Sequence, residues 1–165
     1  MTVRNVRSDE WNVWRDMRFE ALADSPDAFV ETLAVARSRP EDSWSEYTGS
    51  AGTQVRQLLF AEENNMPVGM MAVIQSATER SQVNLVSMWV KPAARGRGHG
   101  RALVEAAIAW ASGRGANKLV LRVSQTCLAA IRLYTGMGFS DTGERAPLRV
   151  GADLRTQRME LLMRE

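Results

Sequence analysis

Apolar and polar positions along this chain follow two spacings, those of β-strands and those of α-helices. Residues 83–90 form an apolar run rich in β-branched side chains, which is typical of a buried strand. Residues 102–112 instead place Leu103, Ala107 and Trp110 on one face of a helix. Over the whole sequence these spacings predict strands at 3–7, 55–62, 68–75, 83–90, 118–123 and 158–163, and helices at 8–23, 27–36, 40–47, 102–112 and 127–135.

Capping and turn residues mark where several of these elements begin and end. Ser8 is the predicted N-cap of the first helix, and Ser25-Pro26 ends that helix. Residues 64–67 predict a turn between two antiparallel strands, and the polar residues 141–157 predict a loop. This order of elements predicts an α/β (α+β) fold, a mixed sheet flanked by helices, in a single domain over residues 1–165.

Composition narrows the class of protein. Hydrophobic residues make up 45% of the chain and charged residues 24%, which is ordinary for a globular domain. The start of the chain lacks the apolar segment of a signal peptide, and one cysteine suits a reducing compartment, so we expect a cytoplasmic protein. A net charge of only +2 argues against a nucleic-acid partner, and no apolar run approaches membrane-spanning length, so we expect neither a nucleic-acid nor a membrane partner.

The junction between a predicted strand and a predicted helix at residues 95–101 is rich in glycine and arginine. Glycines let a backbone turn tightly and approach a ligand closely, and the first N–H groups of a helix converge on an anion. Arginines add positive charge at the same place. The residues concerned are Arg95, Gly96, Arg97, Gly98, Gly100 and Arg101. They predict a site for a phosphate or pyrophosphate.

Two well-known phosphate-binding turns fit this junction poorly. A P-loop ends in Gly-Lys-Ser/Thr, whereas Gly100 is followed here by Arg101 and Ala102. A dinucleotide-binding turn needs Gly-x-Gly-x-x-Gly and an acidic residue about 20 positions later. Residues 96–100 have a different spacing, and residues 119–123 hold no acid. The structural alternative is a flexible turn with solvated arginines.

Two motifs occur in a fixed order in the second half of the chain. The first is Arg95-x-x-Gly98-x-Gly100, preceded by Val90-x-Pro92, and the second is Ala-Ile-Arg-Leu-Tyr-Thr-Gly-Met-Gly-Phe at residues 130–139. They resemble the acetyl-CoA pyrophosphate loop and the second signature, Ala-Ile-x-Leu-Tyr-x-x-x-Gly-Phe, of the GNAT superfamily of N-acetyltransferases. The resemblance covers residues 55–140 strongly and the rest of the chain more loosely.

This resemblance implies a fold, a co-substrate and the residues that hold it. The implied sheet is mostly antiparallel and splayed between its fourth and fifth strands, and the implied co-substrate is acetyl-CoA, without a metal. Its pantetheine arm would bond to strand main chain in the splay, and its pyrophosphate would lie on the N–H groups of residues 97–101. The residues implied in binding are Met88, Trp89, Val90, Arg95, Gly96, Arg97, Gly98, His99, Gly100, Arg101, Cys127, Ala130 and Tyr134.

Tyr134 matches the family tyrosine that protonates the departing CoA thiolate, which makes it the implied general acid. A phenol with a pKa of about 10 stays protonated at neutral pH; the alternative is an aromatic ring that only packs. Cys127 stands where the family often has an asparagine. A cysteine nucleophile paired with His99 is rejected, because nothing places that histidine beside Cys127.

The resemblance places the acceptor pocket between the first helices and the loop before the last strand. Asp27 or Glu31, near Phe29, could hold a cationic amine there. Arginines at 145, 149 and 155 could equally bind a carboxylate of an amino-acid-like acceptor, and both interpretations stay open. Arg122 stands where members that acetylate protein N-termini often carry a glutamate base, so we expect water or a carboxylate outside these strands to take the proton.

We therefore predict an acetyl-CoA-dependent N-acetyltransferase that moves the acetyl group directly to a primary amine of a small molecule. The alternatives are a protein or peptide N-acetyltransferase, a non-catalytic CoA-binding sensor and, least favoured, a nucleotide-binding module. A homodimer is left open.

Overall fold

The structure, a computed structural model, describes residues 1–164. Within that range the strands are β1 (Thr2–Asn5), β2 (Arg56–Glu63), β3 (Met66–Gln75), β4 (Gln82–Val90), β5 (Lys118–Ser124), β6 (Ser140–Pro147) and β7 (Arg155–Leu162). The helices are α1 (Trp11–Asp24), α2 (Leu33–Ser38), α3 (Glu41–Gly49), α4 (His99–Gly113) and α5 (Leu128–Gly136). The strands form one sheet in the order β1-β2-β3-β4-β5-β7-β6, antiparallel except between β4 and β5. This confirms the predicted mixed fold.

β4 and β5 lie side by side only near their first residues. Residues 82–84 pair with residues 118–120, and among the described residues the ladder ends there. On its other edge β4 carries a bulge opposite Met70 and Ala72, where Ser87 adopts a φ of 59°. Because a bulge bends its strand and increases the twist, the later part of β4 turns away from β5. The sheet is therefore splayed between its fourth and fifth strands, as predicted.

Each face of the sheet packs against its own helices. On one face α1, α2 and α3 enclose a core that contains the buried side chains of Trp14 and Phe60. On the other face α4 and α5 cover a core that contains Leu103 and Leu119. Burial of each such side chain contributes about 1.5–3 kcal/mol, so hydrophobic packing holds both layers to the sheet. None of the helices in the described part of the chain is long and apolar enough to cross a bilayer.

Ser8 does not cap the first helix. It begins a 3-10 turn, Ser8–Glu10, and α1 follows from Trp11. The Glu10 carboxylate reaches back and accepts a hydrogen bond from the Arg7 N–H at 2.9 Å. A carboxylate three residues along can satisfy an N–H group at a helix start, and here it takes the place expected for the Ser8 hydroxyl.

The predicted helix at 27–36 is wrong in its first half. Pro26–Ala28 form a 3-10 turn, Phe29 is extended, and α2 begins only at Leu33. The Thr32 side chain accepts a hydrogen bond from the Val35 N–H at 3.3 Å. Because an N-cap residue has an extended backbone, this cap sets the later start of α2 and leaves residues 29–32 as an open segment.

The predicted loop at 141–157 contains a strand. β6 pairs with β7, which begins at Arg155 rather than at the predicted residue 158. β6 lies at the edge of the sheet and most of its side chains are exposed, so it has no apolar alternation for a pattern to detect. Its charged side chains suit an edge strand, because they oppose pairing with a second chain.

Candidate functional site

The junction between β4 and α4 presents a row of main-chain N–H groups. Gly96 and Gly98 have positive φ angles of 75° and 90°, and Gly98 is the N-cap of α4. The first bond of the helix runs from the Ala102 N–H to the Gly98 carbonyl, at 3.0 Å. The N–H groups of residues 97–101 donate to no acceptor within residues 1–164. Such a row at the positive end of a helix is suited to an anion, and the phosphate site at this junction stays a prediction.

Two side chains of this junction are bound to Glu63 at the end of β2. His99 Nε2 lies 2.7 Å from Glu63 Oε1, and Arg97 Nη1 donates to Oε2 at 2.8 Å. These two hydrogen bonds, of which the one to His99 has the larger effect, hold the pKa of the Glu63 carboxylate below its usual value. The His99 side chain is only 1% exposed, so its main-chain N–H, rather than its ring, is available to a ligand. The sequence pattern does not predict Glu63, because nothing local links it to a histidine 36 positions away.

Arg95 is bound to the end of α1. Its Nη2 donates to Asp24 Oδ2 at 2.6 Å, and its Nε donates to the Val90 carbonyl at 2.9 Å. The Ser25 hydroxyl and the Trp89 indole N–H also donate to Asp24, and these bonds together lower its pKa to about 2. The charge of Arg95 is thus already paired within the protein, so its side chain anchors the junction rather than extending to a ligand.

The three predicted contact residues of β4 differ in where their main-chain groups point. The Lys91 N–H donates to the Val68 carbonyl of β3 at 2.8 Å, and main-chain groups alternate in direction along a strand. The main-chain N–H and C=O groups of Met88 and Val90 therefore point towards the gap beside β5, whereas those of Trp89 point towards β3. The Trp89 side chain is also buried, 5% exposed, so this residue belongs to the core.

Cys127, Ala130 and Tyr134 lie three and four positions apart at and along α5, which places them on one face. The Tyr134 ring packs against Phe139 with ring centres 5.7 Å apart. Burial raises the pKa of Tyr134 well above its usual value and also raises that of the Cys127 thiol. The Tyr134 hydroxyl makes no hydrogen bond to any residue in 1–164, and both groups are protonated at neutral pH.

A cavity of about 1000 Å³ lies where β4 and β5 part, on the side of α1 and the open segment. Val86 of β4 and Leu121 of β5 border it, and so do Phe29 and Glu31, two of the three predicted acceptor residues. Asp27 is exposed on the 3-10 turn and does not line the cavity. The chain leaves the 3-10 turn after Ala28 and is extended at Phe29, so Asp27 lies apart from Phe29 and Glu31.

Arginines are prominent among the cavity residues. Arg122 lines the wall, where its Nη2 donates to Glu144 Oε1 at 2.7 Å. Of the arginines predicted in the loop before the last strand, Arg149 lines the cavity. Arg145 is paired with Asp141 at 2.6 Å, and neither it nor Arg155 lines the cavity. Within residues 1–164 no three histidine, cysteine, aspartate or glutamate side chains are grouped as a metal site.

Comparison with known sequences identifies similar proteins. The pattern described as the acetyltransferase (GNAT) family matches residues 11–139. A mycothiol acetyltransferase of Thermobispora bispora is 30% identical over 137 residues, which are 77% of this chain and 42% of that protein. N-acetyltransferase 8B of Rattus norvegicus is 35% identical over 80 residues, 48% of this chain and 36% of that protein. The chain thus spans less than half the length of these relatives.

Comparison with solved structures identifies a shared fold. The protein yncA of Salmonella typhimurium, solved with its cofactor acetyl-CoA, has a TM-score of 0.83 and 23% identity, over 100% of this chain and 95% of that chain. A ribosomal-protein-alanine N-acetyltransferase of Brucella melitensis has a TM-score of 0.82 and 20% identity, over 99% and 100% of the two chains. At these identities the likeness concerns the fold.

Proposed function

This chain belongs to the acetyltransferase (GNAT) family, and on that premise we propose that it transfers an acetyl group from acetyl-CoA to the primary amine of a small molecule. Membership confirms, at the level of the family, the predicted class of enzyme and its co-substrate. One observation carries the proposal for this chain: the gap between β4 and β5 is bordered by the N–H row and α5 on one side and by the cavity on the other.

The residues around the gap suit acetyl-CoA. Its pyrophosphate would accept hydrogen bonds from the N–H groups of residues 97–101, whose positions the bonds of Glu63 and Asp24 hold. Its pantetheine arm would lie along Met88 and Val90 and bond to their main chain, as an added strand does. Cys127 and Ala130 would line the same channel. The yncA structure, with its bound acetyl-CoA, supports this placement by likeness of fold.

The chemistry is direct transfer. The neutral amine attacks the thioester carbonyl, the new C–N bond forms, the C–S bond breaks, and the departing thiolate takes a proton from Tyr134, whose phenolate regains one from water after the products leave. Burial keeps that phenol protonated, so it can donate throughout the neutral range. Glu31 and Glu144, the carboxylates at the cavity and beside it, are both engaged by arginines, which favours water as the acceptor of the amine proton.

The test is a screen of primary amines with purified protein and acetyl-CoA, in which release of free CoA thiol is measured. We expect thiol release that depends on a small amine and yields the acetylated amine by mass spectrometry. A panel of short peptides with free N-termini is tested in parallel. Faster turnover of the peptides than of the small amines would favour the alternative of a peptide acetyltransferase. Binding of acetyl-CoA by calorimetry, without turnover of any amine or peptide, would instead identify a sensor.

A further inference from the structure

Three arginines from distant parts of the chain contact the 3-10 turn at Pro26–Ala28 and the open segment that follows it. Arg18 of α1 lies with its Nε 3.5 Å from Glu31 Oε1, and Arg39, just after α2, contacts Oε2 of the same carboxylate. Arg149 donates to the carbonyls of Pro26 and Phe29 at 2.8 and 2.7 Å, and to that of Val30 at 3.2 Å. All three arginines line the cavity. Together we call Arg18, Arg39, Arg149 and Glu31 the arginine wall.

The arginine wall carries more positive charge than its own residues neutralise. Arg18 and Arg39 share the single carboxylate of Glu31, and the partners of Arg149 are neutral carbonyls. This corresponds to a formal charge of +2 at one side of the cavity. Each guanidinium has five N–H donors, so a single carboxylate leaves many of them without a charged acceptor.

Arg18 is the most constrained member of the wall. Its side chain is 12% exposed and its guanidinium lies over the Phe29 ring, 4.6 Å from the ring centre. Its Nη1 is buried and has no hydrogen-bond partner within residues 1–164. Burial lowers its pKa, and Glu31 opposes that effect. A buried cation normally has full pairing, so Glu31 alone leaves the Arg18 guanidinium incompletely paired at the cavity wall.

We infer that the arginine wall binds a carboxylate of the acceptor, so that the substrate is a small amine that also carries a carboxylate, of which amino acids are the simplest members. This rests on the proposed function. Arg39, whose side chain is 49% exposed, offers the accessible edge of the wall, and Arg18 lies behind it on the same glutamate. Val30 and Val86, both exposed, form apolar parts of the cavity, which suit a hydrocarbon side chain.

This assignment decides between the two interpretations that the sequence left open. Glu31 is committed to two arginines, so it orients them and does not hold the cationic amine. Phe29 supports the Arg18 guanidinium through its ring face, a contact that strengthens as water is excluded. Both residues act on the acceptor through Arg18.

The test compares pairs of acceptors that differ only in the carboxylate. L-leucine and L-phenylalanine are each measured against L-leucinamide and L-phenylalaninamide, with saturating acetyl-CoA and thiol release as the readout. We expect kcat/KM to be about ten- to hundredfold higher for the amino acids, the effect of a hydrogen bond to a charged group. The amide is the less basic amine and has the larger neutral fraction, so such a preference would not arise from protonation.

Two variants separate recognition from folding. Arg18→Met keeps a long apolar stem and removes the charge, and we expect it to abolish the preference by lowering kcat/KM for the amino acids to the value for the amides. Arg56→Met is the matched control, because Arg56 also stacks on an aromatic ring, at 4.0 Å from Tyr47, has a buried unpartnered Nε, and lies outside the cavity lining. Arg39→Gln, at a half-exposed position, provides a second test if Arg18→Met does not fold.

The outcomes are distinguishable. A preference for the amides, or an amino-acid preference that Arg18→Met and Arg39→Gln leave unchanged, would overturn the arginine wall and leave the acetyltransferase proposal standing. A complete lack of turnover with amines of either kind, in protein that binds acetyl-CoA, would overturn both. Loss of the preference in Arg56→Met to the same extent as in Arg18→Met would also count against the wall.

Discussion

Tyr134 is the residue to which we assign the proton-donating role in the proposed transfer. The ring is 6% exposed and held between α5 and Phe139, while the hydroxyl has no partner within residues 1–164. The hydroxyl of a largely buried tyrosine usually finds a hydrogen-bond partner. At the edge of the gap, the sulfur of acetyl-CoA is the partner we propose.

Tyr134→Phe is therefore expected to reduce kcat about a hundredfold or more, within the range of general acid catalysis. Affinity for acetyl-CoA should change much less, because the hydroxyl acts mainly as the thiolate leaves. Turnover and acetyl-CoA binding would be measured on the same preparation, with thermal unfolding as the check on folding. An unchanged kcat, with the chemical step shown to limit the rate, would leave Tyr134 a purely structural residue.

At the scale of elements, the start of α4 combines a sharp turn with an anion site. Gly98→Val should weaken acetyl-CoA binding at least tenfold, since a branched side chain hinders approach to the N–H row. Gly115→Val is the matched control: Gly115 also has a positive φ, +70°, and open space around a new Cβ. Both variants should lose about 1–2 kcal/mol of stability from backbone strain, but only the first should lose affinity.

Calorimetric titration with acetyl-CoA, beside urea unfolding, checks this pair. Equal affinities of the Gly98→Val and Gly115→Val variants for acetyl-CoA would show that the anion does not bind at this junction. Gly100 is unsuitable for the same test, because a Cβ there would lie 3.1 Å from the Leu133 side chain. A loss of acetyl-CoA binding in a Gly100→Val variant could therefore arise from disturbed packing alone and would not test the anion site.

The corner between β1 and α1 makes a separate, pH-dependent prediction. Arg4 donates to Glu10 at 2.7 and 2.8 Å, and this bond lowers the pKa of Glu10 from 4.5 to about 2. Because the folded-state pKa is lower than the unfolded one, the stabilisation is fully present above about 4.5. It is lost as the pH falls towards 2.

Glu10→Gln should thus lower the free energy of unfolding by about 1–2 kcal/mol at pH 7, and the difference should shrink between pH 4.5 and about 2. Urea unfolding at pH 7 and pH 3 measures both parts. Glu46→Gln serves as the control, because Glu46 is exposed on α3 and has no ion pair among the described residues. A deficit of the same size at both pH values would contradict the assignment to the Glu10 carboxylate.

At the scale of the whole molecule, the splay would let acetyl-CoA and the acceptor of the proposed reaction meet from opposite sides. The N–H row and α5 belong to one face of the sheet and the cavity to the other, so under the proposed function both substrates would be bound together. Initial rates should then fit a sequential mechanism. The rate should also rise with pH until deprotonation of the amine no longer limits it.

Cys127→Ala should retain most of the activity under the same mechanism. Burial raises the pKa of the Cys127 thiol, which lowers the fraction of nucleophilic thiolate. Ping-pong kinetics would contradict direct transfer. So would an acetylated Cys127, trapped by mass spectrometry without acceptor and competent to pass its acetyl group on.

The sequence by itself determined the features whose cause is local. Apolar spacing located six of the seven strands, and the glycine pattern placed the turn at the start of α4, because these depend on neighbouring residues. The two motifs led to the correct family and, through it, to the splay. The sequence did not predict β6, because an exposed edge strand has no apolar alternation. It also did not predict where the open segment ends, because nothing in the sequence distinguishes the capping threonine from any other threonine.

Tertiary structure alone decided which side chains are free to meet a ligand. Arg95 and His99 looked like ligand-binding residues by position, yet Asp24 and Glu63 already engage them from 71 and 36 positions away. The arginine wall likewise joins Arg18 to Arg149, which are far apart in the chain. Charge pairing and burial act through space, and their partners leave no mark on the local sequence, so only the folded chain shows which charges are left over for a substrate.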